Sequence, residues 1–277
     1  MRIIRRARFK YYEEKSMRIN SFKVALAALL LSTSSAAYSV TQVDIELQLL
    51  LDISGSIDSS EYDLQLLGYQ AAFESDNVQN AIINGSEGQI AVQLIMWSGP
   101  NQQSVMIDWT LVDSAASADT LAADIAAIAR PFSGWTAIGE AIEYAYPLFE
   151  DNGFEGFDQI MDISGDGTNN SGVAPGIASD NAIADGVDTI NGIVITTNQN
   201  VVDQYLDDVV NGETPFLLAP GNFDDFQTSI ENKIIAEISG TSPTGAITVP
   251  EPGTLGLFAI PAVFMCFRKR TIKEKKS

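Results

Sequence analysis

The stretch Val43-Asp44-Ile45-Glu46-Leu47-Gln48-Leu49-Leu50-Leu51-Asp52-Ile53-Ser54-Gly55-Ser56 decides the fold. Val43 to Leu51 is rich in apolar residues and ends at Asp52, which reads as a buried strand. The chain then breaks into oxygen-bearing side chains at every second position, Asp52, Ser54 and Ser56, with Gly55 among them to let the backbone turn tightly. Short polar side chains just past a strand can converge on a ligand when the chain curls off the sheet.

Outward from this stretch, helical and extended patterns alternate. Ser59 to Phe73 places Tyr62, Leu66, Tyr69 and Phe73 at helical spacing, with Asp58 or Ser59 as N-cap. Gln89–Trp97 and Ser104–Trp109 read as strands joined through the hairpin-length turn Ser98-Gly99-Pro100-Asn101. Helices are expected over Ala115–Ala129, Ala137–Phe149, Ala174–Asp185, Val201–Val210 and Phe223–Ile238. Further strands are expected over Phe157–Ile163, Thr189–Ile195 and Phe216–Ala219. Such alternation implies an α/β fold: a doubly wound, mostly parallel sheet with helices on both faces and one antiparallel edge strand from the hairpin. In open sheets of this kind, ligands bind beyond the carboxyl ends of the strands.

Composition narrows the chemistry. The 277 residues contain no histidine, which excludes a His general base, a Ser-His-Asp system and His-ligated zinc. A single cysteine, Cys266, excludes an intrachain disulfide framework and a Cys-rich metal site. Charge is sharply segregated. Over residues 38–252 only Arg130 and Lys233 stand against 33 acidic side chains, a net charge of −31. That surface repels nucleic acid and anionic lipid, and it suits divalent cations, basic partners or polar neutral polymers.

Three polar segments fall at expected strand ends or helix starts: Asp52-Ile53-Ser54-Gly55-Ser56, Gly134-Trp135-Thr136-Ala137-Ile138-Gly139 and Gly165-Asp166-Gly167. All offer oxygen and none offers nitrogen or sulfur, which suits a hard cation: Mg2+, Ca2+ or Mn2+. These segments resemble the von Willebrand factor type A domain and its metal-ion-dependent adhesion site. That pattern is Asp-x-Ser-x-Ser, a Thr in a later loop, then an Asp after a later strand. The resemblance spans roughly residues 43–240 and implies a Rossmann-like fold. It further implies that Ser54 and Ser56 bind the ion directly, that Thr136, Asp52 and Asp166 act directly or through water, and that one coordination position stays open for a partner's carboxylate. Asp162 is a second acid in the third segment, but it lies inside the expected strand. The run from Asp162 also partly mimics a calcium loop and fails at its twelfth position, Val173. Asn169, Asn170 and Ser171 are candidates for the rim. Trp97 and Trp109 read as packing residues, and Trp135, beside Thr136, as a candidate contact.

The ends read as addresses. Residues 1–37 carry a secretory signal: Arg18 and Lys23 precede the apolar run Val24–Leu31, and Ser35-Ala36-Ala37 offers a cleavage site. Met17 is a candidate start. An N-terminal membrane anchor is the alternative. Residues 241–277 combine a flexible linker, the motif Val249-Pro250-Glu251-Pro252, a short apolar segment over 254–267 and the basic cluster Arg268-Lys269-Arg270. This end resembles the PEP-CTERM sorting signal of Gram-negative bacteria. The resemblance implies processing by an exosortase-type enzyme, transient membrane anchoring, and delivery to the cell surface or extracellular matrix. A plain C-terminal anchor is the alternative.

The sequence therefore leads to a non-enzymatic, exported adhesion or binding module around residues 38–240. Its cation would engage an acidic group of a protein or extracellular polysaccharide. A passive exopolysaccharide-matrix component with a structural cation is the alternative. A secreted hydrolase fits less well. A haloacid-dehalogenase-type enzyme needs an acid two residues after Asp52, where Ser54 stands, and no spacing singles out a glycosidase carboxylate pair.

Overall fold

A computed structural model of the protein describes residues 40–248. The signal segment over 1–37 and the PEP-CTERM segment with its apolar stretch 254–267 lie outside the described residues. Among the described residues, no helix is long and apolar enough to cross a membrane.

The central strand is β1 (Thr41–Asp52). It pairs in parallel with β2 (Ile90–Trp97) on one side and β4 (Phe154–Gly165) on the other. β3 (Gln103–Val112) runs antiparallel to β2 at one edge. β5 (Thr189–Val194) and β7 (Phe216–Leu218) extend the parallel part beyond β4. Two short antiparallel additions were not expected: β6 (Asn211–Gly212) pairs with β5, and β8 (Ile247–Thr248) pairs with β7. The single antiparallel strand read from the sequence is thus one of three among the described residues. The other two are two residues long, too short for any alternating pattern to register. β8 also falls within the stretch read as a flexible linker.

The two faces of β1 differ. Ile45, Leu47, Leu49 and Leu51 enter one apolar core under α1 (Ser59–Glu74), α2 (Asp76–Ile83), α3 (Ala115–Ala126) and α7 (Phe226–Ile238). Leu50 enters the other, under α4 (Ile138–Ala145), α5 (Pro175–Asp185) and α6 (Gln199–Gln204). On that second side, alternate positions of β1 are polar, and Asp44, Glu46 and Gln48 each find a partner for at least one side-chain atom, although Gln48 Oε1 has none among the described residues. Gln48 donates to Gln93 Oε1 at 2.9 Å and to the Ala145 carbonyl at 2.8 Å. Glu46 accepts from the Gly156 amide at 2.9 Å, and Asp44 accepts from the Glu87 and Gly88 amides at 2.9 and 3.0 Å. Buried polar groups are tolerated because they are paired.

Asp58, rather than Ser59, caps α1. Its carboxylate accepts from the amides of Ser60 and Glu61, and Glu61 returns a bond to the Asp58 amide, a reciprocal capping box. α2 was missed by the sequence reading, although Ser75 marks its start by accepting from the Val78 amide at 3.2 Å. The helix expected over Ala137–Phe149 is α4 followed by a 3-10 turn over Tyr146–Phe149. The one expected over Val201–Val210 is α6 followed by a π-turn over Tyr205–Val209.

Registers position the site. Asp52 is level with Trp97, Leu51 with Ser164, and Gly165 with Val194. The carboxyl ends of β1, β2, β4 and β5 therefore finish together at one pole, where the three polar segments meet.

Candidate metal centre

The site starts from the end of β1. Asp52 is fully buried there. Its Oδ1 accepts from the Ser54 amide at 2.7 Å, which curls the chain off the strand. Ser54 Oγ then lies 3.0 Å from Ser56 Oγ, and Ser56 Oγ donates to Asp166 Oδ1 at 2.7 Å across 110 residues of chain. Thr136 Oγ1 reaches Ser54 Oγ at 3.3 Å from the loop before α4. The five side chains singled out from the sequence, Asp52, Ser54, Ser56, Thr136 and Asp166, are thereby brought to one place.

Three devices fix the loops. Arg130 Nη2 donates to the carbonyls of Ile53 and Ser54 at 2.7 and 2.8 Å, and its guanidinium lies 5.6 Å from the centre of the Tyr62 ring. The Gly55 amide donates to the Gly134 carbonyl at 2.8 Å, joining the first two segments. Gly55 lies in the tight turn that the Ile57 amide closes on the Ser54 carbonyl at 3.1 Å, but its φ is not positive, so left-handed freedom is not what the turn needs. Its missing Cβ instead admits the Gly134 carbonyl, which would lie 3.2 Å from that atom. Finally, Asn170 and Asn169 bind the Thr136 loop through the Thr136 and Ile138 amides at 2.9 and 2.8 Å. These asparagines, read as rim residues, are clamps. The clamping role of Arg130 was not read from sequence; its isolation as one of two bases in an acidic domain was the available signal.

Asp162 takes no part. It is buried on β4, with Oδ1 2.8 Å from Lys233 Nζ. A separate calcium loop from Asp162 does not form, because that residue is strand and faces the core. Lys233 also bonds Glu237, whose Oε1 accepts from Asn191 Nδ2 at 3.0 Å. This buried cluster ties α7 to the sheet and was not foreseen. Trp97 is core, as expected. Trp109 packs on Phe149 at 5.3 Å between ring centres and donates to the Leu148 carbonyl. Trp135 is 67% exposed beside Thr136.

Electrostatics at the pole favour a cation. Burial pushes the Asp52 carboxyl up to about 7, with the nearby Asp166 charge adding to the effect and the Ser54 amide opposing it. Burial also raises Asp166, helped by Glu61 and opposed by the Ser56 hydroxyl. Asp52 Oδ2 has no hydrogen-bond partner among the described residues. An orphaned buried carboxylate oxygen costs free energy unless a proton or cation meets it. Among the described residues no three carboxylates gather closely enough to hold a metal. A cation here would therefore draw on hydroxyls as well as on Asp52 and Asp166. That donor set fits a hard divalent ion.

Residues 42–242 match the family DUF1194, a protein of unknown function. No curated protein matches the chain. Among solved structures, proximal thread matrix protein 1 from the mussel byssus, with a zinc-occupied MIDAS motif, aligns at 17% identity and a TM-score of 0.54. The alignment covers 72% of this chain and 48% of that one. The pilus adhesin SpaC from Lactobacillus rhamnosus GG aligns at 12% identity and a TM-score of 0.51, over 72% of this chain and 30% of that one. A von Willebrand factor type A protein from Catenulispora acidiphila aligns at 15% identity and a TM-score of 0.47, over 71% and 43%. The chain thus spans about half the length of these structures or less. At such identities the likeness is one of fold alone: a mixed, mostly parallel sheet wrapped by helices.

Proposed function

The chain belongs to the DUF1194 family, and from that premise we propose that it is an exported adhesion or binding module with a divalent cation at the pole formed by Asp52, Ser54, Ser56, Thr136 and Asp166. The observation that carries this reading is the convergence of three hydroxyls and two carboxyls around a buried, unpartnered Asp52 oxygen. The ion is Mg2+, or Ca2+ or Mn2+ in its place, because every donor is a hard oxygen. When bound, the ion supplies a Lewis-acidic position that an outside carboxylate can complete. The chain's own part is to hold the donors at fixed spacing and to present that position beside the exposed Trp135. The partner is an acidic group on a protein or extracellular polysaccharide. Two structures of similar fold support this reading: one is named a thread matrix protein with a zinc-occupied MIDAS motif, the other a pilus adhesin. Export and surface delivery rest on the terminal segments, 1–37 and 249–277, with exosortase-type processing of the latter. No catalytic group is assigned.

The test is a thermal melt of the full chain in EDTA, Mg2+, Ca2+ and Mn2+, beside Asp52→Ala. A cation-dependent rise in Tm that the variant loses supports the site, since a ligand of the native state stabilises it by mass action. An equal rise in both proteins would reduce the effect to screening of the acidic surface. A specific site with no cation-dependent binding of any acidic protein or glycan would favour the passive matrix component.

A further inference from the structure

The Tyr205 hydroxyl is buried at the same pole. Tyr205 is fully buried, opens the π-turn that ends α6, and has no hydrogen-bond partner for its hydroxyl among the described residues. π-turns inside helices recur at functional positions. Gly165, at the end of β4, shows where that hydroxyl lies. A Cβ on Gly165 would collide with the Tyr205 hydroxyl and would sit 3.2 Å from Asp52 Oδ2. Two orphaned groups, a donor on Tyr205 and an acceptor on Asp52, thus flank one glycine, and neither bonds the other. Buried polar atoms left this way are ordinarily satisfied by an ordered water or an ion. Tyrosine is an unusual choice for a purely apolar neighbour: Val201 and Val202, one turn earlier, supply packing without a hydroxyl.

We propose that Tyr205 is a positioning residue that holds a water shared with Asp52 Oδ2, so that Asp52 meets the cation through water and the site favours Mg2+ over Ca2+. The proposal rests on the cation reading above. The chemical reason is the different behaviour of the two ions. Mg2+ gives up its water reluctantly and binds through an ordered hydration shell, whereas Ca2+ takes carboxylate oxygens directly in flexible geometry. A fixed donor behind the carboxylate orients a water for the first ion and does little for the second.

The experiment is Tyr205→Phe in the full chain, titrated separately with Mg2+ and Ca2+ by calorimetry, with Tm in EDTA as the fold control. The expected result is a Kd for Mg2+ weakened about tenfold, as for loss of one water-mediated bond, with the Kd for Ca2+ changed less than threefold. Tm in EDTA is expected to change little, because the variant loses at most one water-mediated bond and keeps the packed ring. Equal changes for the two ions, or none, would overturn the proposal while leaving the cation site intact. If the unaltered chain binds neither ion, the cation reading itself fails and this inference with it. Gly165→Ala gives a second variant: crowding the shared space should weaken Mg2+ more than Ca2+ in the same sense, and equal weakening counts against the proposal.

Discussion

Asn170 grips Thr136 at three points: its Oδ1 accepts from the Thr136 amide at 2.9 Å, its Nδ2 reaches Thr136 Oγ1 at 3.4 Å, and its own amide donates to the Thr136 carbonyl at 2.9 Å. The threonine is thus fixed by a loop 34 residues downstream rather than by its own helix, whose N-cap position at Ala137 has no side-chain bond. The Asn170 loop follows β4, the same strand end that presents Asp166. Thr136 and Asp166 are therefore positioned as one unit.

Thr136→Ala tests the division between binding and folding. It removes the two long hydroxyl contacts, to Ser54 Oγ and to Asn170 Nδ2, and keeps both bonds between Asn170 and the Thr136 backbone. The expected loss of stability is about 1 kcal/mol, the usual net value of one hydrogen bond. Cation-dependent binding of an acidic ligand should fall at least tenfold. Calorimetric titration beside urea unfolding checks both. An unchanged affinity would remove Thr136 from the site.

Arg130→Met should do more damage than its surface position suggests. It strips donors from two carbonyls, those of Ile53 and Ser54, while retaining much of the apolar stem over Tyr62. The Ser54 carbonyl still accepts from the Ile57 amide at 3.1 Å, so the main cost falls at the Ile53 carbonyl, about 1–3 kcal/mol when a buried acceptor loses its donor. Cation affinity should weaken too, because the loop carrying Ser54 and Ser56 loses its anchor. Urea unfolding in EDTA isolates the first effect and a Mg2+ titration the second.

Stability should fall with rising pH when no cation is present. Asp52 is raised to about 7 in the folded chain against 3.8 ordinarily, and Glu237 to about 7 against 4.5. Between those values the folded chain retains protons that the unfolded chain has released, so raising the pH favours unfolding. For Asp52 the effect is of order 4 kcal/mol across the window. Tm in EDTA should drop from pH 5 to pH 8, Asp52→Asn should flatten part of that drop, and Mg2+ at pH 8 should restore the wild type alone. Melts over that pH range measure all three.

Lys233→Met leaves Asp162 and Glu237 buried without their cation. Removing one member of a buried ionic cluster costs about 3–5 kcal/mol. The loss should shrink at pH 5, where Glu237, raised to about 7 by burial, takes a proton and its charge no longer needs the ammonium. Urea unfolding at pH 5 and pH 8 gives the comparison, and equal losses would contradict the charge explanation.

Affinity for an acidic ligand should rise with moderate salt. The net charge of −31 over residues 38–252 opposes an anion's approach, whereas its contact with the cation is short-range. Going from about 0.01 M to about 0.15 M ionic strength shortens the screening length from about 30 Å to about 8 Å. Association rates measured at the two salt levels with Mg2+ saturating decide the point.

Legibility was uneven for physical reasons. The apolar run of β1, the helical spacing from Tyr62 to Phe73 and the hairpin at Ser98–Asn101 are local patterns, and a sequence displays them. So is the oxygen-rich spacing of Asp52, Ser54 and Ser56. β6 and β8 are two residues each and exist only because β5 and β7 offer them an edge. Lys233 reads as an ordinary helix lysine until α7 is laid against β4 and its ammonium meets Asp162. Arg130 and Asn170 look like loop residues until the strand ends align.

The alternation of strand and helix, the chemistry of the donors and the exclusion of histidine- and cysteine-based sites are all written in the order of residues along the chain. Those properties follow from residue type and short-range spacing. The tertiary structure alone decided that Asp52, Thr136 and Asp166 share one pole, that Asp162 is a core acid, and that Tyr205 faces Asp52 across Gly165. Each of these depends on parallel register between strands far apart in the chain, and register is set by the packing of both faces at once.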